Sequence, residues 1–512
     1  MRDLQETSGP LEASIFVEAL RGIPATFLTI GLIAHALLWA IATHIAEPSP
    51  PPQMAVALAL GREWMLGYEQ APPLAPWISA AIFHLTHSLF VVRLAAALCV
   101  AVAGWVLFLF ARRVVGERQG AIAVLLMVSV FPVAFPGGSL TGDLLQMPLA
   151  AAAIYAWWVA AAERTPNAWI ALGVILGIMM YAGPQALPLA VVFVVVTLLS
   201  ARMRAAAARF DAILCIFLAL LVFALVAGPR MLWLWQNGWS NLLAGIGAGI
   251  PADELLSPLR LPLTILFGHF GLALLLFLAT AYAAKEKENA PVFLRERTSL
   301  SSRRGVTVLA IVPALLALLA LYIFEERVRP QFFSPLLMLT GVFAIIIGGG
   351  RLIIRRQRIV GVIALIFLVA PAAMQIVFSF APGWFGENRP ANWPAGAAAR
   401  TFTEIYHTRT GRALEFLVGE RVHAAQVAVL SGDQPHIYID GDGKRSPWID
   451  TAEFKKKGGV VFWQIRGTDN SPPKEYFARL PAFVEEAPLR LPWARGGGDP
   501  LRIGWAIVPP QQ

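Results

Sequence analysis

Long apolar runs recur along the first 380 residues and constrain the fold more than any other feature. Each approaches the ~20 residues that a helix needs to cross ~30 Å of hydrocarbon. The sequence is 57% hydrophobic and 14% charged, with a mean hydropathy of +0.64, whereas soluble domains carry about 25% charged residues. These runs predict an α-helical polytopic membrane protein with eleven spans, near residues 24–46, 90–111, 119–136, 144–162, 167–182, 184–200, 211–228, 261–283, 305–324, 332–349 and 358–379.

Lysines and arginines are distributed unequally between the two sets of loops. Nineteen lie on the side of the N-terminus, and five lie on the opposite side, at Arg62, Arg230, Arg260, Arg327 and Arg329. Basic residues concentrate in cytoplasmic loops, so the N-terminal side is predicted to be cytoplasmic. Much of the net charge of +9 is then an orientation signal, which argues against nucleic acid as a partner.

Composition divides the chain into three predicted parts. Residues 1–21 form a cytoplasmic N-terminus, because they lack the basic start and short apolar core of a signal peptide. Residues 22–380 form the transmembrane domain, with periplasmic loops at 47–89 and 228–260. An odd number of spans places residues 381–512 outside the cytoplasm, as a small periplasmic α/β domain.

Within that last part, helices are expected around 396–415 and 451–457. Strands are expected at Gln426–Leu430, His436–Ile439 and Val460–Ile465. The run Asp440-Gly441-Asp442-Gly443 predicts a turn, because the glutamate and paired helices of a calcium-binding EF-hand are missing. Cys99 and Cys215 lie in apolar spans and are expected to be buried thiols, with no metal-ligand spacing around them.

The first outer loop combines an apolar segment with aromatic residues. Met54–Met65 can form an amphipathic helix on the membrane surface, followed by a short helix from Trp77 to Thr86. Trp64, Tyr68 and Trp77 are typical of a membrane interface, so an interfacial hairpin is one interpretation. A polar site that binds substrate is the other.

Asp143 stands where a short loop meets an apolar helix. An aspartate there can cap the helix, which contributes about 1 kcal/mol. An acid at the membrane boundary is also a candidate functional residue. Both roles remain open.

Two further outer loops carry polar residues. Trp235-Gln236-Asn237-Gly238-Trp239 suits either an aromatic belt or the binding of a sugar or lipid head group. Arg327 and Arg329 can pair with Glu325 and Glu326, or can bind a phosphate.

The order of these motifs resembles that of bacterial protein-mannosyltransferase-like enzymes, C-type glycosyltransferases that use polyprenyl-phosphate sugars. The aminoarabinose and galacturonic acid transferases of lipopolysaccharide belong to the same group. The resemblance covers roughly residues 24–380 and rests on motifs in chain order: Gly67-Tyr68-Glu69-Gln70-Ala71-Pro72-Pro73-Leu74, Val92-Arg93-Leu94 with Ala111-Arg112-Arg113, Thr141-Gly142-Asp143 and Trp235-Gln236-Asn237-Gly238-Trp239.

The chain departs from this family where the family carries its acids. Gln53 and Met54 occupy the positions of an Asp-Glu pair, and Gln70-Ala71 replaces Asp-His before the two prolines. A lysine expected after the fifth span is also missing around Tyr181-Ala182.

The resemblance implies that an acceptor hydroxyl attacks the anomeric carbon of the sugar and displaces polyprenyl phosphate. A carboxylate takes the proton, and cationic groups or a divalent cation stabilise the phosphate. The implied catalytic residues are Asp143, Glu69 and Glu63, with Arg327 and Arg329 at the donor phosphate. The implied substrate-binding residues are Tyr68, Gln70, Gln53, Gln236, Asn237 and Trp239.

Two functions remain open from the sequence. The first is an active transferase that acts on a glycolipid, glycan or protein of the cell envelope, at the outer face of the inner membrane. The second is a scaffold without catalysis that binds a lipid-linked sugar or assists a partner enzyme. A transporter is less favoured, because charged residues are scarce within the spans.

Overall fold

A computed structural model describes most of the chain. The described residues are 15–68, 71–130, 133, 135–239, 241–242, 256–280, 292–294, 300–348, 351–353, 357–380, 390–465, 467, 469–495 and 499–511.

Each of the eleven expected spans has a helix at its position, which confirms the membrane fold class. Six helices are long and apolar enough to cross a membrane, and up to eight spans result when each of two bent helix pairs counts as one. The bends are 103° between Ala186–Leu199 and Ala201–Ala207, and 53° between Pro330–Leu337 and Thr340–Ile347. The helices at the expected spans are Pro24–Ala46, Leu89–Val115, Glu117–Leu126, Gly142–Ala161, Asn167–Met179, Ala186–Leu199, Phe210–Asn237, Leu261–Gly268 with Phe270–Thr280, Leu300–Ile323, Ser334–Leu337 with Thr340–Ile347, and Gln357–Phe380.

The helix Gly142–Ala161 is at the centre of the membrane domain. Its most apolar 18-residue window is 72% buried, against 6% for the window in Gly361–Phe380 at the periphery. Trp157 is fully buried, stacks on Phe193 with ring centroids 5.3 Å apart, and donates a hydrogen bond to Thr197. Packing on all sides fixes this helix, and Asp143 lies in its first turn.

The first outer loop forms two helices, Pro52–Gly61 and Leu74–Thr86. Residues Met54 to Gly61 are all buried, so this helix does not lie on the membrane surface as an amphipathic element. It packs between Leu74–Thr86 and the helix Arg421–Leu430 of the C-terminal part. The reason is its sequence, which is apolar on every face and therefore needs cover on every face.

The C-terminal part is an α/β domain. Its strands are β3 (Phe416–Gly419), β4 (His436–Ile439), β5 (Gly459–Gln464), β6 (Val484–Glu485), β7 (Leu489–Leu491) and β8 (Leu501–Val508). The sheet order is β4-β3-β5-β8-β6, with β7 also on β8, and β3 is parallel to both β4 and β5. A separate two-stranded sheet pairs β1 (Val292–Leu294) with β2 (Arg351–Ile353). The remaining helices of the domain are Ala395–Thr410, Thr451–Lys457 and Lys474–Arg479.

One expected strand of this domain is wrong. Gln426–Leu430 is the second half of the helix Arg421–Leu430, and the strand before it, β3, lies at Phe416–Gly419. A five-residue apolar run has no clear period, so it suits a strand or a buried helix equally. The turn after β4 is present, with Asp440 and Gly441 both at positive φ.

Buried hydrogen bonds connect the C-terminal domain to the membrane domain. The amide of Gln426, which is fully buried, donates to the backbone carbonyl of Pro50 at 2.9 Å. Arg495 donates to the carbonyls of Ile45 and Ala46, the last residues of the first span, and its guanidinium lies 4.2 Å from the ring centre of Phe380. The bonds from Arg495 satisfy carbonyls that the end of the first span leaves without partners.

Candidate active site

A cavity of about 430 Å³ lies where the membrane domain, the first outer loop and the C-terminal domain meet. Its walls come from separate parts of the chain: the end of the first span, the first-loop helix, the loop 135–144, the turn 182–185 and the segment 390–392. The charged side chains among its described walls are Glu47, Asp143 and Arg329. The cavity therefore holds acidic and basic groups within one enclosed space.

Asp143 is held in place by its helix and by a neighbouring turn. Thr141 is the N-cap and accepts a hydrogen bond from Leu144 N at 3.3 Å, so capping does not depend on Asp143. Gln185 Nε2 donates to Asp143 Oδ1 at 2.8 Å. Asp143 Oδ2 accepts no hydrogen bond from any residue that the structure describes. This oxygen is thus available to a ligand.

The turn that carries Gln185 is held by hydrogen bonds from a second glutamine, Gln146. Gln146 Nε2 donates to the carbonyls of Met179 and Gly183, at 2.8 and 3.0 Å. This brings the ends of Asn167–Met179 and Ala186–Leu199 against the start of Gly142–Ala161. The tight turn between these two spans therefore sets the orientation of the aspartate.

Glu47 is a second carboxylate on the cavity wall. It follows the last residue of the first span and forms an ion pair with Arg93, with Arg93 Nη2 3.2 Å from Glu47 Oε2. The two side chains are only 9% and 2% exposed. Gln375 donates to the other oxygen at 3.4 Å. A Cβ at Gly138 would lie 2.5 Å from Glu47 Oε2, so glycine there lets the loop cover the carboxylate.

Arg329 lines the same cavity and acts electrostatically on Asp143. Arg327 is exposed and is not part of the cavity wall. The two arginines that the sequence proposes for the phosphate are thus separated by the fold. Only Arg329 is placed beside the aspartate.

The Gly67-Tyr68 motif has a structural role in the described contacts. A Cβ at Gly67 would lie 2.0 Å from Nη1 of Arg230, which donates to the Leu66 carbonyl at 3.0 Å. Tyr68 is 2% exposed, accepts a hydrogen bond from Met65 N and contacts Trp448 of the C-terminal domain edge to face. Burial raises the pKa of Tyr68, so its phenol is neutral. Tyr68 is not among the cavity-lining residues.

Two acids and two glutamines of the first loop are candidates from the sequence: Glu63, Glu69, Gln53 and Gln70. Glu63 pairs with His436 of the C-terminal domain at 2.8 Å and lies outside the cavity wall. Gln53 does line the cavity. Glu69 and Gln70 lie outside the described residues.

The described residues of the third outer loop do not line this cavity. The helix Phe210–Asn237 ends in Gln236 and Asn237, and Asn237 Nδ2 donates back to the Trp233 carbonyl at 2.9 Å. Trp239 is 55% exposed. None of the three residues is among those lining the cavity, and their role in binding substrate stays a prediction.

Metal binding is not supported by the described side chains. No group of three or more His, Cys, Asp or Glu residues that could hold a metal ion occurs in the described parts of the chain. Of the two cavity carboxylates, Glu47 is paired with Arg93, and one oxygen of Asp143 is bound by Gln185. The described residues therefore do not provide a ligand set for a divalent cation at the donor phosphate, and no step is derived through one.

The structure adds cavity residues that the sequence reasoning did not select: Glu47, Gln185, Gln375 and Asn392. A signal for Glu47 was present, because opposite charges stand at the end of the first span and the start of the next long span. The three amides carried no such signal. Their place in the wall depends on how distant helices and the C-terminal domain pack.

One known protein family matches part of the chain. Residues 70–228 match the family model described as dolichyl-phosphate-mannose-protein mannosyltransferase. No curated protein sequence matches the chain significantly.

Two crystal structures of ArnT from Cupriavidus metallidurans share the fold of this chain. The apo structure aligns with a TM-score of 0.53 at 14% identity, and the structure bound to undecaprenyl phosphate aligns with 0.54 at 13%. Each alignment covers 95% of this chain and 100% of the ArnT chain. The resemblance to protein-mannosyltransferase-like proteins is thereby confirmed: the family model matches residues 70–228, and the chain shares its fold with the two ArnT structures.

Proposed function

We propose that this protein transfers a sugar from a polyprenyl-phosphate donor to a hydroxyl group of a cell-envelope acceptor. The observation that carries the proposal is the placement of Asp143 and Arg329 in one cavity, with Arg329 acting electrostatically on the carboxylate. A displacement of phosphate from a sugar needs a base at one end and a cation at the other. Support also comes from the fold shared with ArnT, which has been crystallised with undecaprenyl phosphate.

The proposed reaction is a single displacement with inversion at the anomeric carbon. The acceptor oxygen forms a bond to this carbon while the bond from the carbon to the phosphate oxygen breaks. The electron pair of the broken bond stays on the phosphate, beside Arg329. The acceptor proton passes to Asp143, whose Oδ2 has no described hydrogen-bond partner.

Glu47 serves this arrangement in a different way. Its oxygens are held by Arg93 and Gln375, so it orients neighbouring groups and keeps a negative charge in the wall. Gln53, on the first-loop helix, faces the same space and is proposed to bind the sugar. Glu69 is retained as an alternative base, because it adjoins the family motif in sequence.

The site is proposed to open on the outer face of the inner membrane. The distribution of basic residues supports a cytoplasmic N-terminus and a periplasmic C-terminal domain. The first outer loop and the C-terminal domain contact each other through Gln426 and Pro50, which requires both to be on the same side. An acceptor in the envelope, whether glycolipid, glycan or protein, follows from that position.

A second candidate function is favoured by one feature of the sequence. Gln53 and Met54 stand where related enzymes carry an acidic pair. A protein that binds a lipid-linked sugar without transferring it would retain the cavity and Arg329. It would have no need of Asp143 as a base.

The two candidates are separated by single-turnover transfer with radiolabelled undecaprenyl-phosphate sugars and purified full-length protein. We expect Asp143→Asn to lower transfer by roughly 100-fold or more, the effect of losing a general base, while binding of undecaprenyl phosphate is kept. Asp211→Asn is the control, because it changes a partly exposed carboxylate in the first turn of the helix Phe210–Asn237, outside the cavity wall. Transfer that is equal in wild type and Asp143→Asn would contradict the assignment, and binding with no transfer in either would favour the second candidate.

A further inference from the structure

The cavity wall is rich in carboxamides. Five amide side chains line it: Gln53, Gln185, Gln331, Gln375 and Asn392. They come from five separate parts of the chain, so the fold brings them together from distant positions. Each carboxamide offers both a donor and an acceptor, as does a sugar hydroxyl.

Asn392 is the most informative of the five. It is fully buried, and neither its Nδ2 nor its Oδ1 has a hydrogen-bond partner among the described residues. Its backbone is fixed, because its carbonyl accepts a hydrogen bond from Ala494 N at 2.8 Å. Buried polar groups are generally satisfied, so an amide with two unsatisfied atoms in a cavity wall indicates a ligand that supplies both partners.

Gln185 also has a buried amide atom without a described hydrogen-bond partner. Its Nε2 donates to Asp143, while its Oε1 is buried without a described partner. An acceptor is thus available directly beside the carboxylate. A hydroxyl of the ligand can satisfy it.

Each carboxylate of the cavity wall already has a positively charged neighbour. Glu47 is neutralised by Arg93, and Asp143 lies in the field of Arg329. A sugar carboxylate would add a third negative group, and the one cation among the described wall residues, Arg329, is assigned to the phosphate. A sugar ammonium at Asp143 would occupy Oδ2, the oxygen that is proposed to take the acceptor proton, and Glu47 is already paired with Arg93.

We infer that the transferred sugar is uncharged and that Asn392 recognises its hydroxyl groups. This inference rests on the proposed function, since it names the class of sugar for the same site. It also gives the C-terminal domain a part in specificity, because Asn392 is held by the segment that leads into that domain. Asn392 is a binding residue and takes no part in proton transfer.

The test uses the full-length protein in lipid nanodiscs and four probes. These are undecaprenyl phosphate and its conjugates with glucose, glucuronic acid and 4-amino-4-deoxyarabinose, with the dissociation constant of each measured by competition. We expect the glucose conjugate to bind at least tenfold more tightly than either charged conjugate. Equal affinities, or tighter binding of a charged conjugate, would overturn the inference.

Variants locate the effect in the amides. Asn392→Leu should weaken the glucose conjugate about tenfold and leave undecaprenyl phosphate within twofold of wild type. Asn470→Leu, an exposed asparagine of the same domain, is the matched control and should change neither. If Asn392→Leu fails to fold, Gln53→Leu tests the preference for the glucose conjugate at a different part of the cavity wall.

The outcomes separate this inference from the function on which it rests. Loss of all binding, including that of undecaprenyl phosphate to wild type, would overturn the proposed function and the inference with it. Tight binding of undecaprenyl phosphate without discrimination between the conjugates would overturn the inference alone. A folded Asn392→Leu variant with unchanged affinity for the glucose conjugate would remove Asn392 from the site.

Discussion

Arg93 Nη2 lies 3.2 Å from Glu47 Oε2, and this ion pair joins the end of the first span to the first turns of the helix Leu89–Val115. Both side chains are almost fully withdrawn from solvent. Removing one partner of a buried pair leaves an uncompensated charge, whereas removing both leaves none. The pair therefore fixes the geometry of the cavity wall more than it adds net stability.

Arg93→Gln is expected to destabilise the protein by about 3–5 kcal/mol, because Glu47 would remain charged and buried. The double variant Arg93→Gln, Glu47→Gln should recover most of that loss, since it buries no unpaired charge. Thermal unfolding of the detergent-purified proteins measures the stability of the single and the double variant. A double variant less stable than Arg93→Gln would show that the two side chains do not act as a pair.

Arg329→Gln is expected to weaken binding of undecaprenyl phosphate at least tenfold, because a hydrogen bond to a charged group contributes about 1.5–3 kcal/mol. The same change at Arg327 should have the smaller effect, since that side chain is exposed and lies outside the cavity wall. Binding measured at low and high salt gives a second readout, as surface charges are screened more strongly than enclosed ones. Larger losses for Arg327→Gln would move the phosphate site to the exposed arginine.

Glu63→Gln is expected to retain transfer within about threefold and to lower stability by about 1–3 kcal/mol, because the Glu63 side chain is only 8% exposed and its hydrogen bond to His436 is weakened. The reason is that the carboxylate is bound to His436, which is 42% exposed, and does not line the cavity. Single-turnover transfer and thermal unfolding are the measurements, with Glu69→Gln in parallel. A large loss of transfer in Glu63→Gln, with normal stability, would restore Glu63 as the base.

Gln426→Leu is expected to loosen the C-terminal domain from the first outer loop. The change leaves the Pro50 carbonyl without its buried donor, at a cost of about 1–3 kcal/mol. Hydrogen–deuterium exchange of the helix Pro52–Gly61 should rise, because that helix is covered by Arg421–Leu430. Gln464→Leu, a half-buried glutamine at the end of β5, is the control, and equal exchange in both variants would argue against this contact.

The sequence predicts the membrane domain well because a single physical requirement governs it. A span such as Pro24–Ala46 must be long and apolar whatever its neighbours are, so hydropathy alone locates it. Asp143 could be selected for a similar reason, since a carboxylate at the start of an apolar helix is visible in the sequence. The burial of the helix Pro52–Gly61 could not be predicted in this way, because one of the two helices that cover it, Arg421–Leu430, begins 369 positions after Pro52.

The rest of the site depends on packing between distant segments. Glu47 and Asn392 share one cavity, yet 345 positions separate them. Neither residue lies in a sequence motif that predicts its place in the cavity wall. The sequence instead favoured Glu63 and Glu69 as catalytic acids, because they lie closest to the family motif. The structure places Glu63 against His436.

The bond from Arg495 to the carbonyls of Ile45 and Ala46 has a consequence for biosynthesis. The first span is translated long before residue 495, so a growing chain holds the first span for some time without the contact that Arg495 provides. The cavity wall at Asn392 also waits for a segment that is translated long after the first span. Until both segments have been made, the cavity lacks its finished geometry.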